Sequence, residues 1–194
     1  MSRALDFQRR PAGGRPWAYL VLTEPTVLTD LIRLALFPTV MAFAAASDLF
    51  TMTISNRISI VLVAGFFALA FMSGMSVTEI AAHVGAAAGV LVVSFGFFAR
   101  GWIGGGDAKL AAATVTWLGL GHLLNYLLYA SLLGGALTLL LVGFRLVPLP
   151  QLLAGQTWLE RLHRPGGDVP YGVALAGAAL LVYPDTAWMK AIGI

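Results

Sequence analysis

The sequence predicts an all-α membrane protein, a polytopic bundle of about six transmembrane helices, from its composition and from the arrangement of its apolar residues. Of its 194 residues, 59% are hydrophobic and 11% are charged, and the mean hydropathy is +0.85. A soluble domain carries about a quarter charged residues. A chain this apolar is expected to have the lipid bilayer as its surroundings, where helices satisfy their own backbone hydrogen bonds.

Six apolar runs are separated by short polar or glycine-rich segments, and a helix that spans a bilayer needs about 20 such residues. The third and fifth runs are clear, and the first contains Arg33, close enough to its end to snorkel. The fourth is short, and Pro184 and Asp185 interrupt the sixth, so five spans remain the alternative. The runs are residues 31–46, 58–72, 80–99, 108–120, 123–147 and 171–189.

The runs define one membrane-embedded domain, residues 29–194, preceded by a tail. Proline, glycine and acidic residues in segment 1–28 break any apolar stretch that a signal peptide would need. We predict that this tail is partly disordered or lies at the lipid interface. Segment 148–170 is polar enough to leave the membrane, and its middle is a candidate interfacial helix.

Several kinds of site and partner are excluded or not expected. The net charge is +3, but the twelve basic residues form no stripe, so we predict no nucleic-acid partner. The chain has no cysteine, which excludes disulfides and thiolate chemistry. The three histidines, His83, His122 and His163, lack metal-ligand spacing, so no metal is predicted. Ser47 has no candidate base partner and is not expected to be a nucleophile.

The alternation of six spans places segments 47–57, 100–109 and 148–170 on one side of the membrane. The positive-inside rule makes this side cytoplasmic, although the arginines of the N-terminal tail argue for the opposite orientation. In either orientation, Asp48 and Asp107 lie on the same side. The basic residues assigned to this side are Arg57, Arg100, Lys109, Arg145, Arg161 and Arg164.

Asp48 and Asp107 each stand at the edge of an apolar run, where acidic residues are costly and often functional. Two nearby carboxylates cannot easily both ionise, so one is driven to keep a proton. The ionised group can then activate water while the protonated group protonates a leaving amide. The alternative is that each aspartate simply ends a helix and contacts headgroups or a loop arginine.

Three glycines, Gly104, Gly105 and Gly106, directly precede Asp107. Glycine permits positive φ and close backbone approach. These glycines are expected to place Asp107 at the N-terminus of the next helix, where the helix dipole favours a carboxylate. The segment lacks the GK[ST] ending of a phosphate-binding loop. A plain tight turn between two spans is the alternative reading.

Three short segments resemble, in order, the motifs of the type IV prepilin peptidase family. Residues 48–56 (DLFTMTISN) resemble its D-x5-I-P-N element, and residues 104–109 (GGGDAK) resemble its G-x-G-D-x-K element. Residues 170–174 (PYGVA) resemble its third motif, before the last span. The resemblance extends over roughly residues 30–185. Ser55 stands where the motif has proline, and serine is expected to cap the following helix instead.

The resemblance implies that Asp48 and Asp107 are the catalytic dyad of a GxGD aspartic endopeptidase that needs no metal or other cofactor. Its substrate would be a single-span prepilin whose short basic leader is removed at the cytoplasmic face of the bacterial inner membrane. Pilus assembly machinery would be a further partner, and the oligomeric state is left open. The chain lacks the cysteine-containing domain of the methylating members and resembles the short form of tight-adherence (Flp) pilus systems, so no methyl transfer is expected.

The motifs also bring supporting residues. Lys109 either acts on a carboxylate or substrate or, the favoured reading, anchors at headgroups. Asn56 is expected to cap or tie its loop, and Tyr171 is expected to be an interfacial aromatic residue. Pro170 and Gly172 complete the third motif.

Two other kinds of protein remain as alternatives. A transporter or pilus-assembly subunit would use the aspartates to handle ions or protons, although transporters place such acids nearer the midplane. Another GxGD protease, of the signal-peptide peptidase or presenilin type, would pair its loop with a Tyr-Asp motif. Ser47-Asp48 does not match that motif.

Overall fold

The computed structural model describes residues 25–150 and 155–193. Within these ranges the chain forms helices joined by short turns, with no β-strand, so the predicted all-α membrane bundle is confirmed. The α-helices are α1 (Pro25–Thr51), α2 (Asn56–Met72), α3 (Val77–Ala99), α4 (Gly105–Leu118), α5 (Leu123–Leu146), α6 (Thr157–His163), α7 (Tyr171–Val182) and α8 (Ala187–Lys190).

Each of the six predicted apolar runs contains a helix, but the helices differ in length. Three stretches are long and apolar enough to cross a membrane: Val27–Thr51, Val77–Ala99 and Leu120–Leu146. Helix α4 has 14 residues, about 21 Å at 1.5 Å per residue, which is shorter than a hydrocarbon core of about 30 Å. The sixth run is interrupted as predicted, because α7 gives way to a 3₁₀ turn at Tyr183–Asp185.

The interior of the bundle is built around the two short helices α4 and α7. Helix α4 packs against α2, α3 and α7, and α7 also packs between α1 and α5. Ten residues of α4 and seven of α7 are buried. Alanine and glycine predominate at these positions, and small residues let helices approach closely.

Trp117 anchors this interior through hydrogen bonds as well as packing. Its side chain is fully buried and its Nε1–H donates to the Leu62 carbonyl at 2.9 Å. Its own carbonyl accepts a bond from Trp188 Nε1–H at 2.8 Å. These bonds connect α4 to α2 and α8, and they satisfy indole groups that would be costly to bury unpaired.

The outer helices present apolar side chains to the surroundings. On α3, Val92 and Phe95 are largely exposed, as are Leu139 and Leu140 on α5. In water such a surface would be unfavourable, but lipid tails are as apolar as leucine. The exposed pattern is therefore the one expected of a membrane-embedded bundle.

The tail and segment 148–170 are only partly described. Residues 1–24 and 151–154 lie outside the described ranges, whereas residues 25–28, which the sequence predicts to be part of the tail, belong to α1. Helix α6 forms within segment 148–170, where an interfacial helix was predicted. Arg33 bonds within the protein, donating to Asp30 Oδ1 and to Ser73 Oγ, each at 2.9 Å.

Candidate active site

Four helix ends meet at one end of the bundle, and they bring the three sequence motifs into contact. These are the C-terminal end of α1 and the N-terminal ends of α2, α4 and α7. The Gly172 N–H donates to Asp48 at 2.7 Å, and Lys109 donates to Asn56 at 2.9 Å. Segments 48–56, 104–109 and 170–174 therefore form one continuous site.

Asp48 lies in the last turn of α1 and is buried, with 6% of its surface exposed. Its Oδ2 accepts the Gly172 N–H bond from the first turn of α7. The positive end of that helix dipole favours a carboxylate. A Cβ atom on Gly172 would lie 2.8 Å from Asp48 Oδ2 and 2.6 Å from Ile54 Cδ1. Glycine is needed here because the backbone and the carboxylate are in direct contact.

Asp107 lies in the first turn of α4, where the sequence predicted it. Its Oδ2 accepts a bond from the Gly104 N–H at 3.3 Å, so the side chain caps its own helix. The predicted setting at a helix N-terminus is confirmed.

The three glycines before Asp107 serve close packing. None of them has positive φ, which in this loop occurs at Gly101, with φ +72°. A Cβ atom on Gly105 would lie 3.2 Å from the Phe98 ring, and one on Gly106 would lie 3.1 Å from Ile54 Cβ. Of the two roles that glycine permits, only the close approach is used here.

Asp48 and Asp107 line the same cavity, which has a volume of about 620 Å³. Both also line a second, smaller cavity of about 260 Å³ on the side of segments 52–54 and 104–106. Among the described residues, the lining of the larger cavity includes a third acid, Asp168, and no basic side chain. Its remaining lining residues are Met52, Gly101, Trp102, Ile103, Gly104, Thr138, Val169 and Tyr171.

The supporting residues connect the motifs to one another. Lys109, which was expected to anchor at headgroups, is exposed and donates to Asn56 Oδ1, so it joins the second motif to the first. The cap of α2 is Ser55, whose Oγ accepts the Arg57 N–H at 3.3 Å, as predicted from its place in the motif.

The third motif packs closely within the protein. Pro170 is buried and is the N-cap of α7. Tyr171, which was expected to be an interfacial aromatic residue, is half-buried, lines the cavity and packs against Gly134 of α5. This arrangement fixes the start of α7 beside Asp48.

Other cavity residues were not singled out from the sequence. Met52 adopts φ +55°, and its N–H donates to the Asp48 carbonyl at 2.8 Å. A left-handed conformation costs a non-glycine residue about 1–2 kcal/mol, and such strain often accompanies function. One feature of the sequence could have pointed to Asp168 as a site residue, namely its position two residues before the third motif. No feature pointed to Thr138, because it lies within an apolar run.

No group of three histidine, aspartate or glutamate side chains is arranged to hold a metal ion within the described parts of the chain. Two of the three histidines bond to separate backbone carbonyls. His83 Nδ1 lies 2.7 Å from the Thr116 carbonyl, and His163 Nε2 lies 2.7 Å from that of Val147.

Comparison with protein families decides the class of this protein. The model of the type IV leader peptidase family matches residues 35–139, a range that contains both Asp48 and Asp107. The chain belongs to the type IV leader peptidase family. No curated protein and no solved structure gives a match.

Family membership makes the protein a peptidase, hence a hydrolase, and a membrane protein. It decides against the non-enzymatic transporter and the assembly subunit as the primary role. The third motif, at residues 170–174, lies beyond the matched range. Its connection to the leader peptidase motifs is instead structural, through the bond between Gly172 and Asp48.

Proposed function

We propose that this leader peptidase is an aspartic endopeptidase that removes the leader of single-span, Flp-type prepilins. The observation that carries the proposal is the shared cavity of Asp48 and Asp107, which come from different helices far apart in the sequence. A mechanism with two carboxyl groups requires both of them to border the space that holds the water and the peptide bond, and these two aspartates border one cavity.

In the proposed reaction, a water molecule is held between the two carboxyl groups. The ionised aspartate accepts a proton from this water as its oxygen attacks the scissile carbonyl carbon. The protonated aspartate gives its proton to the amide nitrogen as the C–N bond breaks. The two N–H donors, from Gly172 and Gly104, hold the carboxyl groups in place. The step uses no metal and no other cofactor, and no methyl transfer follows it.

The charges of the cavity favour a basic substrate segment. In the described part of the chain, Asp48, Asp107 and Asp168 line the cavity and no basic side chain does, so its charge complements a positively charged leader. The apolar helix of the prepilin would remain in the lipid beside the bundle. Pilus assembly proteins would act on the product.

We infer that the chain crosses the inner membrane of a bacterium several times and that the cavity faces the cytoplasm. Among the described residues, the end with the aspartates carries Arg57, Arg100, Lys109, Arg145, Arg161 and Arg164. Among the same residues, the opposite end has Arg33, which is paired with Asp30, and Lys190. The positive-inside rule assigns the end with more basic residues to the cytoplasm. We give these loops more weight than the four arginines of the N-terminal tail, which argue for the opposite orientation.

The mechanism is tested by Asp48→Asn and Asp107→Asn in the purified protein with a Flp-type prepilin. Each amide can neither activate water nor deliver a proton as the acid does, so each variant should lose more than about 99% of the cleavage rate, given that acid–base groups supply 10²–10⁴-fold. The mass of the prepilin N-terminus measures cleavage.

Asp185→Asn is the matched control, because Asp185 is exposed in the 3₁₀ turn at the opposite end of the bundle. It should cleave at the wild-type rate. Unchanged circular dichroism and membrane insertion would show that the two site variants are folded. Full activity of either site variant would exclude the two-aspartate mechanism.

A further inference from the structure

The connecting segment between α5 and α7, residues 147–170, ends in the candidate site. Asp168 and Val169 line the cavity of the two aspartates. The segment then enters α7 at Tyr171, and the next residue, Gly172, binds Asp48. A side chain that holds the end of this segment therefore also positions the Gly172 N–H.

Arg145, in the last turn of α5, holds the connecting segment at two places. Its Nε–H donates to the Leu162 carbonyl and its Nη2–H donates to the Asp168 carbonyl, each at 2.8 Å. The guanidinium group is planar, with donors in a fixed fork. The two bonds therefore fix the distance and the angle between α6 and the wall of the cavity.

The other side-chain hydrogen bonds of the connecting segment hold α6, but they do not hold the end of the segment that leads into α7. Arg161 donates to the Thr51 carbonyl at 3.0 Å, and His163 bonds to the Val147 carbonyl at 2.7 Å. Across residues 164–170, all of which the structure describes, Arg145 provides the side-chain hydrogen bond that reaches the backbone. Arg145 itself is half-buried and makes no ion pair with any described acid.

We propose that Arg145 is a positioning residue for peptide cleavage. By holding the Asp168 carbonyl, it keeps the start of α7 in place, so that the Gly172 N–H stays on Asp48. Arg145 touches neither aspartate and acts through the connecting segment. The inference rests on the proposed catalytic role of Asp48, and a displacement of about 1 Å at such a site can cost on the order of 100-fold in rate.

The test compares Arg145→Gln and Arg145→Lys in the full-length protein, with Arg164→Gln as control. Arg164 lies in the same segment and is exposed, and its side chain makes no hydrogen bond in the described structure. For a prepilin substrate, Arg145→Gln should lower kcat by about 10- to 100-fold with KM nearly unchanged, since the lost interaction positions the reacting group. Arg145→Lys, whose single nitrogen can hold one carbonyl, should lose less, and Arg164→Gln should match the wild type.

A labelling measurement tests the same idea without catalysis. The chain has no cysteine, so Val169→Cys supplies a single thiol in the wall of the cavity. Its reaction with a maleimide should be several-fold faster when Arg145→Gln is added, and unchanged when Arg164→Gln is added.

Several results would overturn the proposal. These are an unchanged kcat in Arg145→Gln, an effect confined to KM, an equal loss in Arg164→Gln, or an unchanged labelling rate at position 169. If Arg145→Gln does not fold, Arg145→Lys decides the question by the same criteria. Failure of the proposed function is recognised separately, by cleavage in Asp48→Asn.

Discussion

At the scale of single residues, Gly172 shows most directly how a motif serves the site. A Cβ atom there would lie 2.8 Å from Asp48 Oδ2 and 3.1 Å from Asp48 Cβ. We expect Gly172→Ala to displace the carboxylate and to lower the cleavage rate on the order of 100-fold. Prepilin cleavage by the purified variant measures the effect.

Gly177→Ala, in the same helix, is the matched control. A Cβ atom on Gly177 would meet only Leu133 Cδ1, at 3.2 Å, the end of a side chain that can shift. This variant should keep near wild-type activity. Equal rates for the two alanine variants would show that the close approach to Asp48 has no catalytic importance.

Some residue-level features were predictable and others were not. The Ser55 cap and the place of Asp107 in a first helical turn follow from local rules, and both are confirmed. The roles of Gly105 and Gly106 depend on Phe98 and Ile54, which approach them only in the folded bundle. The sequence leaves the choice between positive φ and close packing open, because it does not show these neighbours.

At the scale of helices, the sequence predicted the apolar runs but not which of them would be central. Lipid and protein interior are both apolar, so hydropathy does not separate a lipid-facing helix from a buried one. Among the helices of the six apolar runs, α4 and α7 are the two shortest, they are rich in alanine, and they are the most buried. Length and small-residue content were the available signals, since a helix of 12 or 14 residues does not span a bilayer by itself.

The packing of α5 on α7 can be tested with two adjacent glycines. A Cβ atom on Gly134 would collide with the Tyr171 side chain, whereas one on Gly135 would meet nothing within 4 Å. We expect Gly134→Ala to lower the free energy of unfolding by about 1–3 kcal/mol, the usual cost of overpacking. Gly135→Ala should leave it unchanged or raise it by up to about 1 kcal/mol, through helix propensity.

Thermal unfolding of both variants in the same detergent makes this comparison. Gly134→Ala should also reduce cleavage, because Tyr171 begins the helix that carries the Gly172 N–H. If Gly135→Ala were the more destabilising of the two, the assigned face of α5 would be wrong.

At the scale of the whole molecule, the alternating direction of successive helices brings the parts of the site to one end of the bundle. The sequence predicted that segments 47–57, 100–109 and 148–170 share one side. In the structure these segments meet at one end of the bundle, where Arg161 bonds to Thr51 and Lys109 bonds to Asn56. The alternation of helices does not predict that a third acid lines the cavity, nor that Arg145 holds the connecting segment. Both features depend on the path of an irregular loop, which hydrophobic periodicity does not encode.

The two ends of the bundle should be reachable from opposite sides of the membrane. Gly121 is exposed between α4 and α5, with open space around its Cβ position, and Arg164 is exposed in the connecting segment at the end with the aspartates.

Since the chain has no cysteine, Gly121→Cys and Arg164→Cys each supply one thiol. In intact spheroplasts, a membrane-impermeant maleimide should label Gly121→Cys, and it should label Arg164→Cys only after lysis. The physical reason is the excess of basic residues that the described part of the chain carries at the aspartate end, which the positive-inside rule retains in the cytoplasm. The reverse pattern would place the aspartates outside the cytoplasm, and labelling of both thiols from one side would contradict a bundle whose two ends face opposite compartments.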